Sequence, residues 1–119
     1  MRRHLLSACC LFALPTAHAQ TYQWGTAVGG TGQEIAFATT VDAQGSVITT
    51  GSYTGTVDLD PGPGVANVTS TIDSDVFIQK LDISGQFLWG GSITGSGADQ
   101  GLGVDTDGQG NVYITGRVS

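Results

Sequence analysis

The chain carries one ten-residue pattern twice, as DAQGSVITTG at residues 42–51 and as DGQGNVYITG at residues 107–116. Outward from this pattern, residues 24–54 and 89–119 align without a gap at a constant offset of 65, and ten of the 31 aligned positions are identical. A fixed period of this kind is typical of solenoids, propellers and arrays, whose units bury their apolar faces against one another. The sequence therefore predicts a repeat region over residues 20–119, in which the second repeat is cut short at residue 119.

Short apolar or alternating runs, each bounded by Gly, Asp, Ser or Pro, predict an all-β chain. The predicted strands cover residues 35–41, 46–51, 75–81 and 86–93 in the first copy, and residues 101–105 and 111–116 in the second. Tight turns at residues 42–45 and 82–85 place a glycine where φ must be positive. The Pro-Gly-Pro-Gly run at residues 61–64 excludes a central strand and predicts an exposed loop, which residues 54–59 and 66–72 flank as an edge hairpin.

Residues 1–19 have the pattern of a secretory signal peptide. Arg2 and Arg3 precede an apolar run at residues 5–14, and Ala17-His18-Ala19 fits a cleavage site. The run is about half the length that a transmembrane helix needs. We therefore expect cleavage after Ala19 and a secreted or cell-surface protein with no transmembrane helix. A lipidated Cys9, which follows Leu6-Ser7-Ala8, is the alternative for the same segment.

Cleavage would remove every cysteine and histidine and leave two positive against ten negative side chains. This acidic balance repels phosphate backbones, so we expect no nucleic-acid partner. Without histidine or cysteine, residues 20–119 lack the usual zinc ligands and any Ser-His-Asp or Cys-His constellation. The prediction is a segment that is not an enzyme and holds no cofactor, calcium being the one exception considered below.

The order of motifs resembles the bacterial SBBP-type β-propeller repeat over residues 24–119. The resemblance is carried by GNVYITG at residues 110–116, DVFIQKLD at residues 75–82, TVDLDPG at residues 56–62, and the pairs Ser84-Gly85 and Leu88-Trp89. It implies four-stranded antiparallel blades around an axis, about one and a half of them in this chain. It also implies that each unit begins with a Trp-Gly strand whose tryptophan fills the space between neighbouring blades. Such repeats occur mainly in large exported or surface proteins, and the resemblance implies no defined reaction.

The first copy departs from this family pattern at three positions. Thr40, Ser46 and Ile48 stand where the second copy has Asp105, Asn111 and Tyr113. These three departures weaken any ligand role shared by both copies.

Four aspartates are candidate calcium ligands. Asp105 and Asp107 open a run that resembles the start of a calcium loop, and Asp58 and Asp60 lie two residues apart beside the Pro-Gly run. Gly116, however, stands where such a loop needs its acidic last ligand. The competing interpretations are a turn whose aspartate caps its own backbone, and solvated loop charges that protect strand edges.

Taken together, these patterns predict an exported, non-enzymatic β-propeller segment that acts as a scaffold or interaction module of a larger secreted or cell-surface bacterial protein. Its partner would be a protein or a carbohydrate at the cell surface. Two alternatives stay open: a propeller enzyme acting on extracellular polysaccharide, with its catalytic residues outside this segment, and a calcium-dependent adhesin.

Overall fold

The computed structural model describes residues 20–119, and the predicted signal peptide lies outside the described residues. Within this range the chain forms nine strands and no helix. The strands are β1 (Gly29–Gly30), β2 (Glu34–Val41), β3 (Val47–Tyr53), β4 (Thr56–Asp58), β5 (Asn67–Thr69), β6 (Asp75–Leu81), β7 (Phe87–Ile93), β8 (Gln100–Thr106) and β9 (Val112–Arg117). The prediction of an all-β chain is confirmed, and no helix of the described part is long and apolar enough to cross a membrane.

The main sheet is one four-stranded antiparallel blade in the order β2-β3-β6-β7. These are the four strands predicted for the first copy, and their ends differ from the prediction by one or two residues. The interior strands β3 and β6 are the most buried, as expected for strands covered on both faces. The blade is therefore built from consecutive hairpins, with the long segment between β3 and β6 looping out of it.

The β8–β9 hairpin repeats the β2–β3 hairpin down to its irregularity. Both hairpins have a β-bulge after the second or third residue of the first strand, at Phe37 in one and Leu102 in the other. The bulge makes Ala38 pair with Thr50 and Gly103 pair with Thr115, which are equivalent positions at an offset of 65. A bulge adds one residue to one strand and increases the local twist. Both units therefore share register as well as strand order.

Three turns share one hydrogen-bond pattern. In each, an aspartate Oδ1 accepts the backbone N–H groups two and four residues later, at 2.8–3.0 Å. The fourth residue of each turn is a glycine with a φ between 81° and 84°, a region that side chains with a Cβ avoid. The three aspartate–glycine pairs are Asp42 and Gly45, Asp82 and Gly85, and Asp107 and Gly110.

The segment between β3 and β6 folds back as a small second sheet over one face of the blade. Its order is β1-β4-β5, and the pairing of β4 with β5 confirms the predicted edge hairpin, although the strands are shorter than expected. Strand β1 is an addition that the sequence did not predict. The main apolar core lies between the two sheets and consists of Tyr53, Val57, Leu59 and Phe77.

The second unit packs on the opposite face of the blade, where β8 lies against β2 and β3. Ile48 and Thr50 project to this face and are fully buried. Gly101 of β8 approaches so closely that a Cβ built on it would overlap Thr50 Oγ1 and lie 2.8 Å from Val76 Cγ1. This contact between successive units is the face-to-face stacking expected of propeller blades.

The prediction that each unit begins with a Trp-Gly strand is wrong for Trp24. Trp24 does not open a strand: residues 20–28 have no strand pairing, whereas its counterpart Trp89 lies in β7 and pairs with Lys80. A strand needs a hydrogen-bonded neighbour, and within the described residues no β6-type strand precedes Trp24. The Trp24 ring instead covers Gly85 in the β6–β7 turn. Trp89 is 39% exposed, and its place between neighbouring blades stays a prediction.

Candidate functional site

The carboxylate of the calcium candidate Asp107 accepts hydrogen bonds from residues of the β8–β9 hairpin. Its Oδ1 accepts the N–H groups of Gln109 and Asn111, each at 2.9 Å. Its Oδ2 accepts the Asn111 side-chain amide at 2.7 Å and the Tyr113 hydroxyl at 3.1 Å. These donors, with the Asn111 side chain the largest influence, lower the pKa of Asp107 from 3.8 to about 2. The carboxylate therefore acts as the turn cap that the competing interpretation predicts.

Asp105 lies two residues earlier, in β8, and its Oδ1 accepts the N–H of Thr106 at 2.8 Å. Asp107 follows the last residue of β8, and the Oδ1 of each of the two aspartates accepts N–H groups of its own hairpin. Within residues 20–119 no group of three or more His, Cys, Asp or Glu side chains is placed to hold a metal ion. No contact among these residues supports the calcium interpretation of the four candidate aspartates, which the melting experiment in the Discussion tests.

The other two candidates, Asp58 and Asp60, stiffen the Pro-Gly loop. Asp58 Oδ1 accepts the N–H groups of Asp60 at 3.0 Å and Ala66 at 2.8 Å, which closes the base of the loop. Asp60 Oδ1 accepts the N–H of Gly62 at 2.7 Å. From the blade, the buried Gln79 side-chain amide donates to Leu59 O at 2.6 Å. The loop is consequently held at a fixed position beside the main sheet.

A groove of about 380 Å³ lies between this loop and the start of β7. The lining residues are Thr26, Asp60, Pro61, Gly62, Pro63, Gly64, Gly85, Gln86 and Phe87. Two proline rings and the Phe87 ring supply apolar surface, while Asp60 supplies one carboxylate. Sites of this kind, mostly apolar with few polar groups, suit binding of a short segment. The lining has no nucleophile paired with a base, which acyl or glycosyl transfer would need.

Trp24 forms part of the support of this groove. Its indole N–H donates to Ile83 O at 2.7 Å, and its ring lies against Gly85, which lines the groove. The Trp24 segment thus fixes the β6–β7 turn from outside the blade. Sequence reasoning anticipated a packing role for the tryptophan and missed this position, because a contact across 59 residues leaves no local pattern.

One ion pair was also missed. Lys80 Nζ lies 2.7 Å from Asp42 Oδ2, and the Asp42 side chain is 1% exposed. The hydrogen bond from Lys80 is the largest cause of the lowered pKa of Asp42. Breaking such a pair by removing one partner leaves an uncompensated charge, so we assign it a structural role in tying the β2–β3 turn to β6.

Comparison with known proteins supports the repeat architecture. The chain is 27% identical over 107 residues to an uncharacterised WD repeat-containing protein of Acanthamoeba polyphaga mimivirus, in a match that covers 78% of this chain. The match spans only 8% of that relative's length. No family model matches the chain, and no solved structure matches it. The chain is thus similar to a WD repeat protein, and the all-β fold class with propeller-type blades is confirmed.

Two further buried aspartates lie at the start of β6 and just before β8. Asp75 and Asp99 are fully buried, and each uses one oxygen to accept a backbone N–H, from Thr71 and Ser119 respectively, both at 2.8 Å. The Asp99 N–H donates to Ser74 O at 2.7 Å, which ties the start of β8 to the start of β6. The Asp75 carboxylate therefore anchors the loop before β6.

Of the four candidate aspartates, Asp60 alone lines the groove, and Asp58 holds the base of the loop that forms one wall. Asp107 caps the β8–β9 turn. The groove and the open surfaces of the second unit are the features best suited to contact another molecule.

Proposed function

We propose that residues 20–119 are part of an exported β-propeller repeat array of the SBBP type, from a bacterial protein, and that they act as a non-enzymatic scaffold or interaction module. The observation that carries this proposal is the stacking of β8 on β2 and β3. One unit completes the burial of the other, as in repeat proteins that present extended binding surfaces. The similarity to a WD repeat protein supports the same class of module.

The groove beside the Pro-Gly loop is the proposed contact surface. Its walls are held by hydrogen bonds that Asp58 and Asp60 accept and that Gln79 donates, so little conformational entropy would be lost when a ligand binds. Proline and aromatic rings favour an extended peptide or a sugar face, and the Asp60 carboxylate favours a partner with a donor group. The partner we propose is a protein or carbohydrate at the cell surface.

Photocrosslinking in the native host tests this function. The photoreactive residue p-benzoylphenylalanine replaces Phe87 in the groove, and a matched variant carries it at Ile72, which is 79% exposed and does not line the groove. We expect one discrete crosslinked species from position 87 and none from position 72. Equal labelling from both positions, or none from either, would contradict an interaction through the groove.

Export has its own test. N-terminal sequencing of the protein recovered from the medium or the cell surface should begin at Gln20, since cleavage is proposed after Ala19. A protein retained inside the cell with Met1 in place would overturn the exported location. A lipidated Cys9 would instead give a mass increase of one diacylglycerol group on a chain that begins at residue 9.

A further inference from the structure

The loop and the turn that form the walls of the groove contain three carboxylates and no positive charge. Asp58 and Asp60 belong to the Pro-Gly loop, and Asp82 begins the β6–β7 turn on the other side. Among residues 20–119 none of the three has a salt-bridge partner, and neither Lys80 nor Arg117 lines the groove. The negative potential of the groove is therefore uncompensated within the part of the chain that the structure describes, and it attracts a cation.

Asp60 has one carboxylate oxygen to which no described residue donates a hydrogen bond. Its Oδ1 accepts the N–H of Gly62 at 2.7 Å. Its Oδ2 lies against Gly64, where an added Cβ would overlap it, so glycine at this position leaves room for the carboxylate inside the loop. Asp60 is half-buried and lines the groove. The loop thus holds a carboxylate in a fixed place, with an oxygen available to a donor group of the ligand.

The apolar part of the groove is equally fixed. Phe87 is half-buried, packs against the core cluster between the two sheets, and also lines the groove with Pro61 and Pro63. An aromatic ring next to a carboxylate suits a guanidinium, which is planar, weakly hydrated and able to stack, better than a strongly hydrated ammonium. The volume of about 380 Å³ is near the lower end of the range for ligand sites, so the groove fits a short segment.

We propose that the groove binds an extended peptide segment that carries arginine. Asp60 accepts charge-assisted hydrogen bonds from the guanidinium, while Pro61, Pro63 and Phe87 contact the rest of the segment. A neutral sugar would gain nothing from the uncompensated carboxylates, so the charge of the groove favours the peptide. This inference rests on the proposed function and names the class of ligand that the same groove takes.

An NMR titration of the natural protein with the peptide acetyl-Gly-Arg-Pro-Arg-Gly amide tests the proposal. The matched peptide has citrulline in place of both arginines, which keeps the shape of the side chain and removes its charge. We expect the arginine peptide to shift the backbone amide signals of Gly62, Gly64 and Phe87, and to bind at least about tenfold more tightly than the citrulline peptide. Added salt should weaken the arginine peptide and leave the citrulline peptide unaffected.

Two matched variants locate the charge that matters. Asp60→Asn removes the charge and keeps an Oδ1 that can accept the N–H of Gly62. It should weaken the arginine peptide by about tenfold and leave the citrulline peptide unchanged. Asp73→Asn is the control, because Asp73 is exposed and does not line the groove. It removes the same charge and should change the affinity by less than about twofold.

No binding of the arginine peptide, or equal binding of the two peptides, would overturn the proposal. Equal losses from Asp60→Asn and Asp73→Asn would also overturn it, because binding would then follow the net charge of the protein. Groove signals that shift with cellotetraose and not with the arginine peptide would assign the groove to carbohydrate. The peptide comparison uses the natural protein, so it decides even where a variant does not fold.

The crosslinking experiment at Phe87 keeps this inference separate from the proposed function. A discrete crosslinked species, together with no preference for arginine, would leave the proposed function in place and overturn the arginine ligand alone. Absence of any crosslinked species would contradict the proposed function itself.

Discussion

Replacing Gly101 by alanine tests the stacking of the two units at one atom. The added methyl group would overlap Thr50 Oγ1 and lie 2.8 Å from Val76 Cγ1. Thr50 has no room to move, because it is fully buried and its hydroxyl is bonded to Phe77 O. The strain therefore falls on the packing of β8 against the first blade.

The expected cost follows from these contacts. Overpacking a filled interior by one methyl group costs about 1–3 kcal/mol of the free energy of unfolding. If the Thr50 hydroxyl is driven off Phe77 O, it is left buried without that acceptor, which costs a further amount of about 1–3 kcal/mol. We expect a loss of about 2 kcal/mol or more. For a chain of so few units that is a large share of the total stability.

Urea titration followed by tryptophan fluorescence measures the loss, with trimethylamine N-oxide added to keep the natural chain folded at the start. The matched control is Gly91→Ala in β7, where an added Cβ meets nothing within 4 Å, so the change should be neutral or stabilising by about 0.4–1 kcal/mol. In a Thr50→Ala background the Gly101→Ala cost should fall by about 1 kcal/mol. A Gly101→Ala loss no larger than that of the control, or a loss unchanged by Thr50→Ala, would refute the packing argument.

Three further predictions concern the turns. A ¹³C NMR titration of Asp107 should give a pKa of about 2. Because the folded pKa lies below the ordinary 3.8, the ionised carboxylate stabilises the fold fully above about pH 4, and this stabilisation is lost as the pH falls toward 2. A midpoint at 3.8 or higher would contradict the turn geometry. Trp24→Phe should lower the unfolding free energy by about 0.5–1.5 kcal/mol through loss of the bond to Ile83 O, whereas Trp89→Phe should change it by less, and equal effects would contradict the assigned contact. Since the candidate aspartates already accept backbone N–H groups, 5 mM calcium should leave the melting temperature unchanged, and a rise that EDTA reverses would establish a metal site.

The strands and turns of this fold could be predicted because their signals are local. A turn such as residues 42–45 needs only an aspartate to accept nearby N–H groups and a glycine for the positive φ, and both are visible in a few letters of sequence. Short runs of β-branched and apolar residues between such turns predict strands such as β6. The period of 65 then assigns the same structure to the second copy.

The missed features all depend on long-range contacts. Strand β1 is two glycines that pair with β4, nearly thirty residues away, and no local preference marks them as a strand. The groove forms only because the Pro-Gly loop folds back over β7. Sequence reasoning therefore found the residues of the candidate groove without finding that they meet.

The departures of the first copy from the repeat pattern have a structural explanation in the second oxygen of the turn aspartate. In the second unit, Oδ2 of Asp107 accepts hydrogen bonds from Asn111 and Tyr113. In the first unit the counterparts of those two donors are Ser46 and Ile48, neither of which bonds the second oxygen of Asp42, and Lys80 supplies the positive charge there instead. Loss of the tyrosine hydroxyl suits a position that the second unit buries, because Ile48 needs no partner in an apolar contact. The substitutions at positions 46 and 48 thus act together, exchanging an exposed side-chain network for a buried ion pair. Nothing in the structure explains the departure at Thr40.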